Sequence, residues 1–228
     1  MANRGKSRHM TGLAAPKYFG IYRKHQRYVL KPNPGRHSLD RCVPLLLAVK
    51  KLGAAQGSVE VSSIIRNGSV LVNGRGIREV KYPVGLNDVI EFKGTGQYCI
   101  IGIEKHGRIT FEELKKADYE NQLFRVIGKY KTEKGQIMIR LHDGSNAKGN
   151  KDVKVNDSVI IDSKRSVKMR VPLQVGAQCF VISGVHVGTK GSISSIKEGT
   201  EKREASAVIK PSSGDEFETI VRNIMVTG

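Results

Sequence analysis

Three stretches of the sequence carry residue types and spacings that could do chemistry. Gly184-Val185-His186-Val187-Gly188-Thr189-Lys190-Gly191 approaches a phosphate-cradling loop, in which a glycine-rich turn offers backbone N–H groups and a lysine reaches the outer phosphates. That chemistry needs Gly-Lys adjacent and a hydroxyl next for magnesium. Here Thr189 separates Gly188 from Lys190 and Gly191 stands in the hydroxyl position, so no nucleotide site is expected. Gly94-Thr95-Gly96-Gln97-Tyr98-Cys99 begins like a dinucleotide fingerprint, but Cys99 replaces the last glycine and no helical pattern follows. His9, His25, His37, His106, His142 and His186 show neither HExxH nor any close ligand spacing, and Cys42, Cys99 and Cys179 lie far apart without CxxC. The sequence therefore predicts no metal, no cofactor and no small-molecule substrate. An odd number of scattered cysteines suits free thiols in a reducing, cytoplasmic compartment. In that compartment the glycosylation triplets starting at Asn67 and Asn156 carry no meaning.

What remains is charge. Lys and Arg number 39 against 21 acidic residues, a formal net charge of +18 on a 228-residue chain whose 39% hydrophobic content suits ordinary folded domains. Such a surface repels itself unless it neutralises a polyanion, which points to nucleic acid. No apolar run of transmembrane length or leader-like start accompanies it, which disfavours a membrane partner. Nine basic residues and no acidic one fall in residues 1–36: Arg4, Lys6, Arg8, Lys17, Arg23, Lys24, Arg27, Lys31 and Arg36. This stretch, with several glycines and prolines and no sustained period, reads as an arm. Tyr18, Phe19, Tyr22 and Tyr28 are interleaved with the cations, a mixture that suits stacking on unpaired bases; a solvated terminus is the alternative.

Positioning elements follow. Asp40–Leu52 is predicted to be a helix with Pro44 in or near its first turn and Val43, Leu46, Leu47 and Val49 on its apolar side. Ser58 is expected to cap a second helix in which Val61, Ile64 and Ile65 share a face and Gly68 takes the left-handed end. Ser69–Val72 leads into Asn73-Gly74, the strongest short hairpin signal, and Asn87-Asp88 precedes a strand at Val89–Phe92. Farther on, strands are expected at Phe124–Tyr130, Gln136–Leu141 and Ser158–Asp162, making a small β domain. "LNDVIEF" and "VNDSVIID" share an Asn-Asp turn feeding a strand, read as convergent turn chemistry.

The strings "SLDRCVPLLLAVKKLG", "SSIIRNGSVLVNG" and "YPVGLNDVIEF" resemble the αL-type RNA-binding domain of the small-subunit ribosomal protein S4e family, and "HMTGLAAPKYFGI" and "LKPNPGRHSLDRCVPLLL" resemble that family's basic opening. The resemblance spans essentially the whole chain. It implies that a face bearing Arg41, Lys50, Lys51, Arg66, Asn67, Asn73, Arg75, Arg78 and Lys81 meets ribosomal RNA by shape and phosphate contacts rather than by base readout. "VGAQCFVISGVHVGTKGSISSI" is similar to the KOW motif, which implies an SH3-like barrel whose loop presents His186, Thr189 and Lys190, with Lys190 as an RNA contact. Gly184, Gly188 and Gly191 then serve either tight barrel turns alone or close backbone approach to a sugar-phosphate chain as well. Because residues 175–228 are electrically neutral, this module is equally suited to docking protein.

Some pseudouridine synthases join an αL domain to a catalytic domain with an essential aspartate after Arg-Leu. Here Ser38-Leu39-Asp40-Arg41 departs from that order, and Asp40 at a helix start is better explained as a favourable charge on the helix dipole. The expected fold is therefore α+β: a basic N-terminal arm (1–37), an αL-type helix-hairpin module (38–107), a central β-rich domain (108–174) and a C-terminal KOW, SH3-like barrel (175–228). The expected function is that of a structural constituent of the small ribosomal subunit, not an enzyme. Its partners would be ribosomal RNA and neighbouring ribosomal proteins in a cytoplasmic ribonucleoprotein active in translation. A KOW-bearing transcription factor is the rival binding protein. The short stretch after "RNIMV" suggests an archaeal source.

Overall fold

A computed structural model describes residues 9–114, 122–133, 135–161, 165–200, 203–212 and 214–228. The chain divides into two compact units, one of residues 1–102 and 108–114, the other of residues 103–107 and 115–228.

In the first unit β1 (Met10–Thr11) pairs antiparallel with β2 (Tyr28–Val29). Between them the single 3-10 turn Lys17–Phe19 buries Tyr18 and Phe19. The first long helix does not begin at Asp40. Leu39–Arg41 forms a separate 3-10 turn, and β3 (Cys42–Pro44) is drawn into an antiparallel pair with β6 (Pro83–Gly85). Only then does α1 (Leu45–Lys51) start, with Pro44 as its N-cap residue. The pairing partner lies some forty residues away, out of reach of a local pattern. Helix α2 (Ser58–Arg66) packs on α1, buries Val61 and Ile65, and ends at Gly68 in the left-handed conformation as expected. Its cap residue is Gly57, whose N–H donates to the Glu60 carboxylate at 3.4 Å, so Ser58 is the first helical residue instead of the cap.

The remaining strands of this unit are β4 (Val70–Val72), β5 (Arg75–Gly76), β7 (Val89–Phe92), β8 (Gln97–Ile103) and β9 (Ile109–Leu114), ordered β5-β4-β7-β8-β9. Asn73 and Gly74 both have positive φ, 49° and 74°, the two-residue turn whose twist matches the strands it joins. Strand β9 completes this sheet, so it falls on the N-terminal side of the expected boundary after residue 107. Residues 9–37 likewise belong to the first unit and contribute Met10, Ala15, Tyr18, Phe19 and His37 to its interior.

The second unit holds two five-stranded antiparallel sheets. The first comprises β10 (Leu123–Lys131), β11 (Ile137–Leu141), β12 (Asn146–Lys148), β13 (Ser158–Ile161) and β14 (Val167–Val171), in the order β12-β11-β10-β13-β14. Val126, Ile139, Leu141, Ala147, Val153 and Val159 form its core. Three of these strands match the expected ones. Strands β12 and β14 are additional, and the expected Asp162 end of β13 lies outside the described residues. The second sheet comprises β15 (Gln178–Val181), β16 (Lys190–Lys197), β17 (Ser206–Pro211), β18 (Phe217–Ile220) and β19 (Ile224–Val226), in the order β18-β17-β16-β15-β19. Cys179, Val181, Ile193, Ala207, Ile209, Val221, Ile224 and Val226 share one buried core. Arg125 of β10, 5% exposed, donates from Nη1 to the backbone carbonyl oxygens of Arg222 and Ile224, tying the two sheets together.

The two Asn-Asp turns are the same device. Asn87 and Asn156 take φ of 63° and 73°, and each following aspartate is buried. The Asp88 carboxylate accepts the Gly85 N–H at 2.9 Å, and the Asp157 carboxylate accepts the Lys154 N–H at 2.8 Å. Each has a nitrogen partner: His37 Nε2 lies 2.7 Å from Asp88, and Arg170 Nε lies 2.7 Å from Asp157. One local solution thus leads into a strand of each of two sheets, β7 and β13.

Candidate nucleic-acid interface

Cations concentrate where the first unit's elements end. Lys50 and Lys51 occupy the last turn of α1 and Arg66 the last turn of α2, positions where positive charge meets the negative end of the helix dipole. Arg78 lies against Gly68, with Nε 3.5 Å from where a Cβ on that glycine would stand. Arg66, Asn67 and Arg78 are thereby gathered at one end of α2, and Arg66, Asn67, Arg75, Arg78 and Lys81 are all exposed. Arg41 closes the 3-10 turn before β3 and is exposed too. The loop carrying Lys31 is fastened to the segment carrying Lys81, because the Asn33 N–H donates to the Lys81 carbonyl at 2.9 Å.

Two of the expected contact residues make hydrogen bonds within the fold. Lys51 Nζ donates to the carbonyl oxygens of Phe19 and Gly20 at 2.6 and 3.2 Å, satisfying the end of the Lys17–Phe19 turn. Burial, followed by the neighbouring Arg108 charge, lowers the Lys51 pKa. Its ammonium holds the N-terminal segment onto α1. Asn73 is bonded at both ends of its amide: Nδ2 donates to Asp88 Oδ1 at 2.6 Å and Oδ1 accepts the Val89 N–H at 2.9 Å. It organises the hairpin and the buried Asp88.

The aromatics of residues 9–37 separate into two groups. Tyr18 and Phe19 are buried in the protein's own core and are not platforms for bases. Tyr22 is 90% exposed and Tyr28 55% exposed. The Arg27 guanidinium stands 5.4 Å from the Tyr28 ring centre and His9 meets the same ring edge-on. Arg23 donates from Nη2 to the Ala15 carbonyl at 3.1 Å. Lys17 and Lys24 are exposed and Arg36 is half-buried, whereas Arg4, Lys6 and Arg8 lie outside the described residues.

In the second unit Lys190 opens β16 beside His186, whose ring stacks on Phe217 with centroids 4.0 Å apart. They line a groove of about 580 Å³ that also carries Lys105, Asp215 and Glu216. All three glycines here have internal reasons. Gly184 and Gly188 need φ of 102° and 84°. A Cβ on Gly188 would stand 2.6 Å from the Lys105 nitrogen, and one on Gly191 2.5 Å from the Lys210 carbonyl oxygen across the β16–β17 pair. Sequence reasoning missed the His186–Phe217 stack, because His186 lies in the β15–β16 connection and Phe217 opens β18, some thirty residues on.

Among the described residues no helix is long and apolar enough to cross a membrane, and no group of three potential metal ligands occurs. Asp40 lies exposed in its three-residue 3-10 turn.

Comparison with known proteins places this geometry in a family. The family model described as "Ribosomal family S4e" matches residues 95–166, and the "RS4NT (NUC023) domain" model matches residues 4–40. Small ribosomal subunit protein eS4 of Staphylothermus marinus is 31% identical, covering 100% of this chain and 95% of that protein. Its namesake in Methanococcus maripaludis is 30% identical, covering 100% and 97%. The crystal structure of the 30S ribosomal protein S4e from Thermoplasma acidophilum superposes with a TM-score of 0.70 at 26% identity, covering 83% of this chain and 96% of that one. The chain belongs to the S4e family of small-subunit ribosomal proteins.

Proposed function

We propose that this protein binds and stabilises folded small-subunit ribosomal RNA, with the first unit as the principal contact surface, and that it acts as a structural constituent of the particle rather than as an enzyme. The observation that carries this reading is the gathering of exposed cations at the ends of α1 and α2 and along the return from β5, on a chain of net charge +18. Short rigid elements hold these charges at fixed spacing, which suits the regular phosphate array of an A-form helix. Exposed Tyr22 and the Arg27–Tyr28 pair add surfaces on which an unpaired base can stack. The four-part organisation into basic arm, αL-type module, central β domain and KOW-type barrel, and a place in the cytoplasmic ribosome, belong to the same proposal.

The test is the salt dependence of binding to small-subunit ribosomal RNA. Removing residues 1–36 would strip Tyr18 and Phe19 from the core, so exposed side chains are the better targets. The triple variant Arg66→Gln, Arg75→Gln, Arg78→Gln is expected to keep its melting midpoint and to lower the slope of log affinity against log salt by about 2 to 3, since each phosphate contact contributes roughly 0.7 to 0.9. Binding by the intact protein that is insensitive to salt would sink the reading.

A second partner class suits the C-terminal sheet. Val185 is 93% exposed, and the groove beside it mixes Lys105 and Lys190 with Asp215 and Glu216. A neighbouring protein matches that mixture better than a polyanion does.

A further inference from the structure

In the first unit a pocket of about 640 Å³ opens between the segment 31–35 and the turn that leads into β3. Its volume falls within the range of sites that enclose a small organic ligand, roughly 300–1,000 Å³. Pro32, Pro34 and Leu39 supply apolar lining, and Leu39 remains 40% exposed. The prolines have fixed φ, so this wall needs no ordering on binding. Asn33 and Ser38 bring an amide and a hydroxyl to the same space, and Lys31 and Lys81 bring two cations. No carboxylate is among the described lining residues, which disfavours a cationic guest. The nearest acid in sequence to Lys81 is Glu79. Its Oε1 accepts the Asn33 amide at 3.3 Å and the Lys81 backbone N–H at 3.4 Å, and so braces the rim.

Flat apolar walls, hydrogen-bonding edges and cations on one pocket match an aromatic heterocycle joined to phosphate. We propose that this pocket takes a single nucleobase turned out of folded RNA, with Lys31 and Lys81 meeting the phosphates beside it. The inference rests on the RNA-binding reading above and adds to it a discrete base-sized site. Unstacked bases are what proteins read in folded RNA, since the grooves of a paired A-form helix offer little access. The pocket would therefore select a bulged or looped nucleotide and set the register of the surrounding phosphate contacts.

The full-length protein, labelled with nitrogen-15, is titrated with each of the four nucleoside 5′-monophosphates to about 10 mM, tenfold above a millimolar Kd. Ribose 5-phosphate, inorganic phosphate and a proline-rich peptide are run in parallel. The amide signals of Gly35, Ser38 and Leu39 are expected to move with at least one mononucleotide and to stay in place with ribose 5-phosphate and phosphate. Ser38→Trp, which fills the pocket at an exposed position with no capping bond to lose, is expected to weaken that response at least tenfold. Leu39→Ala removes part of the wall without adding bulk and is expected to weaken it less.

Silence from all four mononucleotides overturns the proposal. So does an equal response to ribose 5-phosphate, which would reduce the pocket to an anion site. A response to the peptide alone would assign the pocket to protein docking, and an unchanged response in Ser38→Trp would place the base elsewhere. In each case steep salt dependence of ribosomal RNA binding leaves the broader function standing, whereas its loss removes the broader function itself.

Discussion

At Asp88 a carboxylate only 1% exposed is held by three donors: His37 Nε2 at 2.7 Å, Asn73 Nδ2 at 2.6 Å and the Gly85 N–H at 2.9 Å. Burial alone would raise its pKa. The His37 hydrogen bond and charge, then Arg36 and the Gly85 amide, outweigh that and hold it below its ordinary 3.8. Gly85 makes the arrangement possible, because a Cβ there would stand 2.6 Å from His37 Nδ1. Asp88→Asn removes the charge and keeps only one acceptor oxygen, so an NH2 group must face either Asn73 Nδ2 or the His37 and Gly85 donors that share the other oxygen, and the change is expected to cost about 3 kcal/mol. A depressed folded pKa means the unfolded chain binds more protons, so Asp88 contributes stability that is complete above pH 3.8 and disappears as pH falls through the lower folded value. Urea unfolding of the parent and Asp88→Asn proteins should therefore converge as pH falls below about 4. A gap that stays constant there would contradict the charge-based account.

At the scale of single elements, what a sequence makes legible depends on how near the deciding partner lies. The Asn73-Gly74 hairpin was legible because positive φ at two adjacent residues is a local demand. The start of α1 was not, because β3 is claimed by β6 across the unit and the helix is delayed to Leu45. Lys50 and Lys51 look alike on a helix surface, yet Lys51 is committed to carbonyls over thirty residues away. Gly191 shows the same contrast in the second unit. Its sequence context suggests a turn, but its Cβ is excluded by the facing Lys210 carbonyl within a strand pair. Gly191→Ala must push β16 from β17, and is expected to lower stability by about 1–3 kcal/mol, read as a reduced urea midpoint. An unchanged midpoint would show that the strands separate without cost.

Over the whole molecule, the three cysteines are buried and free, two in the first unit and one in the second. Burial pushes the Cys42 thiol up to about 12, with Asp40 and Asp88 adding to it, and the Cys179 thiol up to about 11; Cys99 is raised by burial and by Glu113. Thiolates are the reactive form, so a disulfide reagent at neutral pH should leave the native protein unmodified and react only on opening. Each unit has its own interior, which favours separate transitions. Pulsed thiol labelling across a denaturant series is expected to modify Cys42 and Cys99 together and Cys179 in a different range. A single range for all three would mean that the chain unfolds as one body.

The amino-acid sequence by itself determined the cationic character, the failure of the nucleotide and metal motifs, the local turns at Asn73-Gly74 and Asn87-Asp88, and the resemblance to the S4e family that relatives over the full chain bear out. These rest on composition, on backbone preferences of adjacent residues or on the order of motifs. Only the tertiary structure decided that Tyr18 and Phe19 face inward, that Lys51 and Asn73 serve the fold, that His37 meets Asp88, and that Lys31 and Lys81 border one pocket. In each of these, residues far apart in the chain compete for the same hydrogen bond or the same buried volume. The winner is set by which contact the whole unit can satisfy at once.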